Sequence, residues 1–500
     1  MKYKQLNTKH PEYDHKQYDQ YNALYEGGKT FEKFKPQFLT KNEIEPPQIF
    51  KSRQDNAEYQ NFVGPIIDQF AAQLFSSPFK ITSEDDKPLD SFYTEFQSDV
   101  DGGGADLVNF MQNSFINAVV KGCSWFVAEM PALPDDLAAM KAANQLSIDQ
   151  MDKSGYRRAT LCAVDNSQVF DYEMDNYKRL SIVKIHKCES LLNPATMDRS
   201  FITETWKIYD SQYITTYVHT YKQEDVNKID PELEIKPKSQ VKHGFGAVPV
   251  LTLEFPPGLW IMNRVASAQI GHFRSSAQLD WAQRNCAFPM PVFKSVDKGS
   301  PPVLGAGRWI LIDSEEEFDF KAPSSDSFAS LAERIESKRV EIFRVTQQMA
   351  AGISNTAVIG RSADSKAMDT AATEICLQAY GRYVKEAVEE IFELVSNARG
   401  EIEVVFSVEG MNQFNPEDVT STMANLKASK ELVLHSPDYL KEIELKISNI
   451  MLPDLDGPKK DLITKQIEDA FAVLTSKLEP GSSLLEPPSD PLVKKDKQIS

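Results

Sequence analysis

The chain has 500 residues, 41% hydrophobic and 26% charged, the proportions of an ordinary globular protein. It is long enough for about two to four domains and a large core. Its formal net charge of −18 and pI of about 5.0 exclude a tight grip on nucleic acid through phosphates, which calls for a basic excess; loose contact or guided passage stays open. The polar start MKYKQLNTKHPEYDHKQYDQ lacks the apolar core of a signal peptide. No run of about 18 apolar residues marks a membrane span. The five cysteines (Cys123, Cys162, Cys188, Cys286, Cys376) are scattered, with no C-x-x-C pair. That pattern fits free thiols in a reducing compartment rather than a disulfide framework.

In chain order, Tyr18, Tyr21, Leu24 and Tyr25 stand at helical spacing over 15–26, and Gly27-Gly28 supplies a helix C-cap. Gly28-Lys29-Thr30 has the look of a P-loop tail. The motif's earlier glycine is replaced by Ala23 and no buried strand precedes it, so it is not read as a nucleotide site. An amphipathic helix is expected over Asp55–Phe75, with Tyr59, Phe62, Val63, Ile66, Ile67, Phe70 and Leu74 on one face and Pro78 ending it. Asp99-Val100-Asp101 followed by three glycines reads as a flexible turn, because the fifth-position ligand and distal glutamate of a calcium loop are missing. A helix over 106–121 and a buried strand over Ser124–Ala128, closed by Pro131, come next. Between Arg158 and Phe255 the period changes to two, with strands expected at Ala159–Val164, Leu180–His186, Ile202–Tyr209, Tyr213–Tyr221 and Val248–Leu253. No GxGxxG loop follows any of them and no crossover pattern appears, so the class is α+β.

Three long helices are then predicted, at Leu259–Asn285, Asp326–Gly352 and Ala367–Ala398, without an internal proline. All exceed the usual length of about 11–12 residues. In the second, Phe328, Leu331, Ile335, Ile342, Val345 and Met349 form a heptad seam with Lys338 as its one polar break. The seam is narrow, so this helix packs on one or two neighbours and keeps its other faces wet. Between the first two helices a proline-rich insert carries strand candidates Val292–Ser295, Arg308–Ile312 and Phe318–Phe320. A polar break, Ser354–Ser365, precedes the third helix. Glu401–Val408 is expected as a strand rejoining the earlier β layer. Helices from Pro416 (Val419, Met423, Leu426), from Pro437 (Leu440, Ile443, Ile447) and over Lys459–Leu478 complete the chain. Beyond Pro480 the composition is that of a disordered tail.

No catalytic signature emerges. The seven histidines never fall at i, i+4 or beside paired cysteines, and there is no G-x-S-x-G. Glu315–Glu317 reads as solvated surface. No catalytic residue, metal ligand or cofactor is assigned, and the chain is read as a non-enzyme.

The order of parts resembles the portal protein of tailed bacteriophages: helical block, β layer, long helix, β insert, long helix, polar loop, long helix, strand, helical end. Local text is similar too, in NFVGPIIDQFAAQLFSSPF, in Gly102–Pro131 with its GCSWFVAEMP, in HGFGAVPV, and in GHFRSSAQLDWAQRNCAFPMPVF. The resemblance implies a homo-oligomeric ring of about twelve subunits at one capsid vertex, within the virion, assembled in the host cytoplasm and having no membrane partner. Double-stranded DNA would pass through it during packaging and ejection. Its partners would be the terminase large subunit, the major capsid protein and scaffold, and neck or adaptor proteins. It further implies a wing over 1–258, stem helices over 259–285 and 326–352, and a clip over 286–325. A tunnel loop over 353–366, a long helix and returning strand over 367–409, a crown over 410–479 and a disordered tail over 480–500 would follow. The tunnel-loop residues facing DNA would include Asn355, Thr356, Val358, Arg361 and Lys366. The clip residues meeting terminase or adaptor would include Phe288, Phe293, Lys294, Lys298 and Trp309. Two other readings stay open: a different head–tail connector or scaffold-associated protein, and an enzyme whose site assembles only in the fold.

Overall fold

The computed structural model describes residues 1–76, 79–83, 89–130, 140, 158–193, 197–286, 290–294, 317–321, 325–350, 363–401, 404–411, 437–451 and 457–476. The chain divides into two units, Met1–Phe414 and Asn415–Ser500. Helix and sheet are both abundant and the sheets are antiparallel, in keeping with the α+β class.

The first unit begins with helices α1 (Tyr3–Leu6), α2 (His15–Glu26), α3 (Gly28–Phe38), α4 (Pro47–Asn56) and α5 (Val63–Leu74). Asp14 caps α2 by accepting the Gln17 N–H at 3.0 Å. Gly27, at φ +66°, closes α2 by donating its N–H to Ala23 O at 3.0 Å. Helix α3 starts at the next residue, so Lys29 and Thr30 are helical and follow a helix, which removes the P-loop geometry.

The single helix expected over Asp55–Phe75 is instead two helices separated at 57–62. Tertiary bonds hold this gap. Tyr59 donates its hydroxyl to Leu24 O at 2.7 Å and stacks on Phe31 at 3.8 Å. Asn61 donates to Tyr25 O at 2.7 Å while its side-chain oxygen accepts the Gly64 N–H at 2.9 Å. A Cβ on Gly64 would lie 2.7 Å from Tyr25 O, so this approach requires glycine.

Strand β1 (Lys80–Ser83) precedes α6 (Ser91–Ser98) and α7 (Leu107–Lys121). The expected apolar face of α7, comprising Leu107, Phe110, Met111, Phe115 and Val119, is buried. Between α6 and α7, Asp101 accepts the Gly103 and Ala105 N–H groups at 2.7 and 3.1 Å, making the expected turn.

The β layer comprises β2 (Cys123–Glu129), β3 (Thr160–Val164), β4 (Val169–Met174), β5 (Leu180–Asn193), β6 (Asp198–Tyr209), β7 (Tyr213–Lys222), β8 (Pro237–Lys242) and β9 (Val250–Glu254). They form a three-stranded sheet in the order β3-β2-β9 and a five-stranded meander, β4-β5-β6-β7-β8. Trp125, Val127, Val183, Ile185, Tyr209 and Val250 share one apolar core. The N-terminal residues cover a second one: Leu6 packs with Trp206, Tyr217 and Ile235, and Tyr3 donates its hydroxyl to Glu204 at 2.9 Å. Three strands lie outside the expected set: β1, β4 and the edge strand β8. Every residue of β8 is exposed, so no alternation marks it in the sequence.

The three long helices are α8 (Ile261–Cys286), α9 (Ser325–Ala350) and α10 (Ala363–Arg399). Strands β10 (Met290–Lys294) and β11 (Glu317–Lys321) pair between the first two, and β12 (Phe406–Glu409) follows the third. The candidate strand Arg308–Ile312 lies outside the described residues. Strand β12 does not rejoin the β layer; it pairs antiparallel with β1, Ile81 opposite Val408. Along α10, Leu377, Tyr380, Val384, Val388, Ile391, Phe392 and Val395 are buried. The Tyr380 hydroxyl donates to Leu259 O at 2.6 Å, and its ring meets Phe115 and Phe255 edge-on at 5.1 and 5.0 Å.

Helix α10 ends at Arg399, whose side chain is fully buried. Its guanidinium lies 3.6 Å from the Phe92 ring centroid, donates Nε–H to Glu401 at 2.9 Å and stands 3.7 Å from Asp90. In the second unit, α11 (Pro437–Met451) and α12 (Gly457–Ser476) carry the ion pair Lys441–Glu468 at 3.3 Å. The expected helix from Pro416 and the tail from 480 lie outside the described residues.

Removing a buried charge's partner costs roughly 3–5 kcal/mol. Arg399→Ala removes the buried guanidinium but leaves Glu401 partly exposed and still held by the Tyr93 hydroxyl, so it is expected to lower the unfolding free energy by less than that, about 1.5–3 kcal/mol, in chemical denaturation. Lys228→Ala, which breaks an exposed pair, is expected to change it by less than about 1 kcal/mol.

Candidate functional site: the helical hairpin

Helices α8 and α9 each have 26 residues, about 39 Å at ~1.5 Å per residue. The two are buried very differently. Ile261, Met262, Val265, Ala266, Ala268, Phe273 and Ala277 of α8 are all buried, and small residues along it let neighbours approach closely. Polar side chains then stitch α8 to the N-terminal helical block. Gln269 donates to Gln60 O at 2.6 Å, Arg274 to Phe38 O at 2.6 Å, and Arg284 to Asn56 Oδ1 at 2.6 Å.

On α9 the expected seam is visible in the burial. Phe328, Leu331, Ile335, Lys338 and Val345 are half-buried and Ile342 is fully buried. Ala332, Glu333, Arg334, Glu336, Ser337 and Arg339 are exposed, and so is Val340 at 44%. The Arg339–Glu336 pair at 3.2 Å is a surface pair of small worth.

Lys338, the polar break in the seam, lies over Gly271 of α8. A Cβ on Gly271 would meet Lys338 Cδ at 3.5 Å and Cε at 3.6 Å, ordinary contact distances. The ammonium turns back to Glu341 of its own helix at 2.6 Å. Lys338 thus packs through its methylene stem and keeps its charge at the rim. The sequence signal for this pairing was a mid-helix glycine facing the one polar seam residue.

His272, next to Gly271, is buried, with the Phe62 ring edge-on at 5.0 Å. Burial, and then Arg339 nearby, push its pKa below the ordinary value, with Glu336 opposing. Its Nδ1 and the Gln269 Oε1 three residues earlier have no hydrogen-bond partner among the described residues.

Strands β10 and β11 pair antiparallel between the two helices, Phe293 opposite Phe318 and Lys294 opposite Glu317. Of the expected clip residues, Phe293 and Lys294 lie on β10, whereas Phe288, Lys298 and Trp309 lie outside the described residues. Of the expected tunnel-loop residues, Asn355, Thr356, Val358 and Arg361 also lie outside them. Lys366 falls within the first turn of α10, which begins at Ala363, four residues before the expected start. Among the described residues no group of three or more His, Cys, Asp or Glu could hold a metal ion, and no helix is long and apolar enough to cross a membrane. What the hairpin offers is length, a narrow dry seam and a wide wet flank.

A family model described as a domain of unknown function, DUF4055, matches residues 262–397, the stretch from α8 through α10. No curated protein matches the chain. The fold is similar to that of chains in three solved structures. One belongs to the virion of a native gene transfer agent (GTA) particle, at 12% identity and a TM-score of 0.43, covering 81% of this chain and 96% of that one. Another is from the neck of the empty GTA particle computed with C6 symmetry, at 11% identity and a TM-score of 0.41, covering 80% and 94%. A third is from the neck of the native GTA particle computed with C12 symmetry, at 11% identity and a TM-score of 0.36, covering 78% and 92%.

Two outcomes follow for the hairpin. In a helix interior alanine is worth roughly 0.5–1 kcal/mol over glycine, and the space at Gly271 accepts a methyl group. Gly271→Ala is therefore expected to raise the melting temperature, whereas Ile342→Ala, at a buried site, is expected to lower stability by about 2–5 kcal/mol. For His272, the depressed pKa means that the unfolded chain takes up a proton first as pH falls. The stability from keeping the ring neutral is full above about pH 6.5 and is lost as pH drops below it. Stability of His272→Gln, measured by denaturation, is expected to fall less steeply than the parent's between about pH 7 and pH 5.5.

Proposed function

We propose that this chain is a portal-type subunit of a tailed-phage-like particle. Copies stand side by side about an axis, and the α8–α9 hairpins line a channel for double-stranded DNA. The observation that carries this reading is the lopsided burial of α9. On a shaft about 39 Å long, residues 329–340 turn one half-buried seam inward and leave the other side chains exposed, including Val340, whereas further on Thr346 is buried and Phe343 meets Phe62. A lone helical hairpin gains nothing from such length, whereas a ring with a heterologous interface that closes needs shafts with free flanks. The resemblance in element order and local text supports the same assignment.

Residues 1–258 then act as the wing, 259–285 and 326–352 as the stem, 286–325 as the clip for the terminase and neck proteins, and 353–366, whose last four residues are the first turn of α10, as the segment facing DNA. Residues 410–479 act as the crown. The subunit itself performs no catalysis. A formal charge of −18 per subunit suits a wall that repels phosphates and lets the duplex slide, since tight phosphate contacts would retain it. Arg361 and Lys366 supply passing contacts, and the ring sits in the virion.

Electron microscopy of the purified chain tests the reading. The expected result is open rings of about a dozen copies; a monomer or dimer without a bore overturns it. Deleting Ser354–Ser365 is expected to leave rings intact but to reduce DNA packaged per particle, and unchanged packaging would remove the tunnel assignment. Substitutions at Phe293 or Trp309 are expected to weaken terminase binding before they weaken the ring. Equal binding by mutant and parent would remove the clip assignment.

A further inference from the structure

A groove of about 430 Å³ lies where the 42–46 segment and α4 meet α8 and α9. Ile44, Pro46, Ile49, Trp281, Ala282 and Leu331 give it apolar walls. The charged groups on it are already spent. Arg53 donates to Glu45 at 2.8 and 3.0 Å and to Thr40 O at 2.8 Å, and Glu45 also accepts the Asn42 N–H at 3.1 Å. Both side chains are buried. The hydrogen-bonded Arg53 guanidinium holds the Glu45 carboxyl below its ordinary range. An occupant therefore meets apolar walls and no unpaired charge, which selects apolar side chains.

The exposed apolar residues of this region fall into two sets. Among the described residues of α8, α9 and the stretch from α2 to α5, the large apolar side chains left exposed are Ile44, Ile49 and Val340. Ile44 is 96% exposed. The two isoleucines belong to the groove. Val340 comes nine residues after Leu331, about two and a half turns at ~3.6 residues per turn, so it leaves α9 on the side opposite the groove wall. Glu336 and Arg344, one turn before and one turn after it, are exposed as well and lay their methylene stems along the same side.

We infer that the groove is the socket for α9 of a neighbouring copy of this chain, filled by Val340 and the stems of Glu336 and Arg344. The inference rests on the ring reading above and names the surfaces that join its copies. A socket on one side of a shaft and a knob on the other suit a heterologous contact, in which each copy fills its neighbour's socket and has its own filled. A two-fold pair cannot use patches that face opposite ways, since both contacts would have to form on one side of the shaft. An unrelated partner in the groove would leave Val340 in water. Val340 also lies about 13.5 Å further along the shaft than Leu331, at ~1.5 Å per residue. Copies in a ring share one height, so the contact makes the shafts lean against the ring axis.

Cross-linking of the full chain tests this. Cys123, Cys162, Cys188 and Cys286 are replaced by serine, and the buried Cys376 is kept. Ile44→Cys/Val340→Cys is then treated with a short bismaleimide, after electron microscopy has shown whether rings form. A ladder of covalent multimers is expected, because each chain carries both halves of the contact; either single variant is expected to stay monomeric. Ile44→Cys/Tyr177→Cys, whose second cysteine sits in the exposed β4–β5 turn, is expected to give no ladder. In a second measurement, Val340→Glu is expected to raise the concentration for half-assembly about tenfold without lowering the melting temperature of the unassembled chain. Tyr177→Glu is expected to leave assembly unchanged. Rings without a ladder, an equal ladder from the Tyr177 pair, or assembly untouched by Val340→Glu overturns the inference and leaves the ring reading standing. A parent chain that forms no rings overturns both.

Discussion

The hydroxyl of Tyr380 and the carbonyl of Leu259 fix where everything else can go. They meet at 2.6 Å in a setting closed by Phe115 and Phe255. A buried phenol needs such an acceptor, and this one lies two residues before α8 begins. The middle of α10 is thereby tied to the root of the hairpin. The remaining buried residues of α10 fill the core below, and Arg399 anchors its far end between Phe92 and Glu401. A 37-residue helix held at two points along its length makes a rigid spine, so the direction of α8, and of α9 riding on it, is set by packing rather than by a linker.

The two arms of the hairpin divide the work. Helix α8 spends its side chains on its own subunit, through small apolar residues and through donors reaching backbone carbonyls of the 38–61 segment. Gln60 O, in the 57–62 gap, and Phe38 O, at the end of α3, each gain a donor in this way. Over 329–340, helix α9 packs through one stripe and leaves its other side chains in water; only further on do Thr346 and Phe343 join the packing. The Gly271–Lys338 contact shows how the seam tolerates a charge: the methylene stem lies along α8 while the ammonium reaches Glu341 at the rim.

Much of this was legible in sequence where burial follows a single period. The seam of α9, the apolar face of α7 and the long β hairpins of the meander all announce themselves by spacing. Legibility failed where tertiary bonds override the local pattern. Tyr59 and Phe62 continue a helical spacing across 57–62, yet the Tyr59 ring leaves to stack on Phe31 and Asn61 ties the chain to Tyr25, so the helix breaks. The partner of β12 could not be read either. A short alternating segment signals a strand but not its neighbour, and β1 is as short as β12. For the helical hairpin, spacing gave the seam but not the roles of His272 or Gly271, which depend on what stands opposite.

Strand β8 ends the meander with every side chain in water, which leaves one row of backbone donors and acceptors unmatched on its outer rim. Such a rim invites another strand to zip onto it, the first step toward amorphous or fibrillar clumping. The segment PKSQVK answers this with a proline at its first position and lysines at Lys238 and Lys242, which break the donor row and make like-on-like stacking repulsive. The rim is thereby kept from drawing other copies of the chain into sheet-to-sheet adhesion.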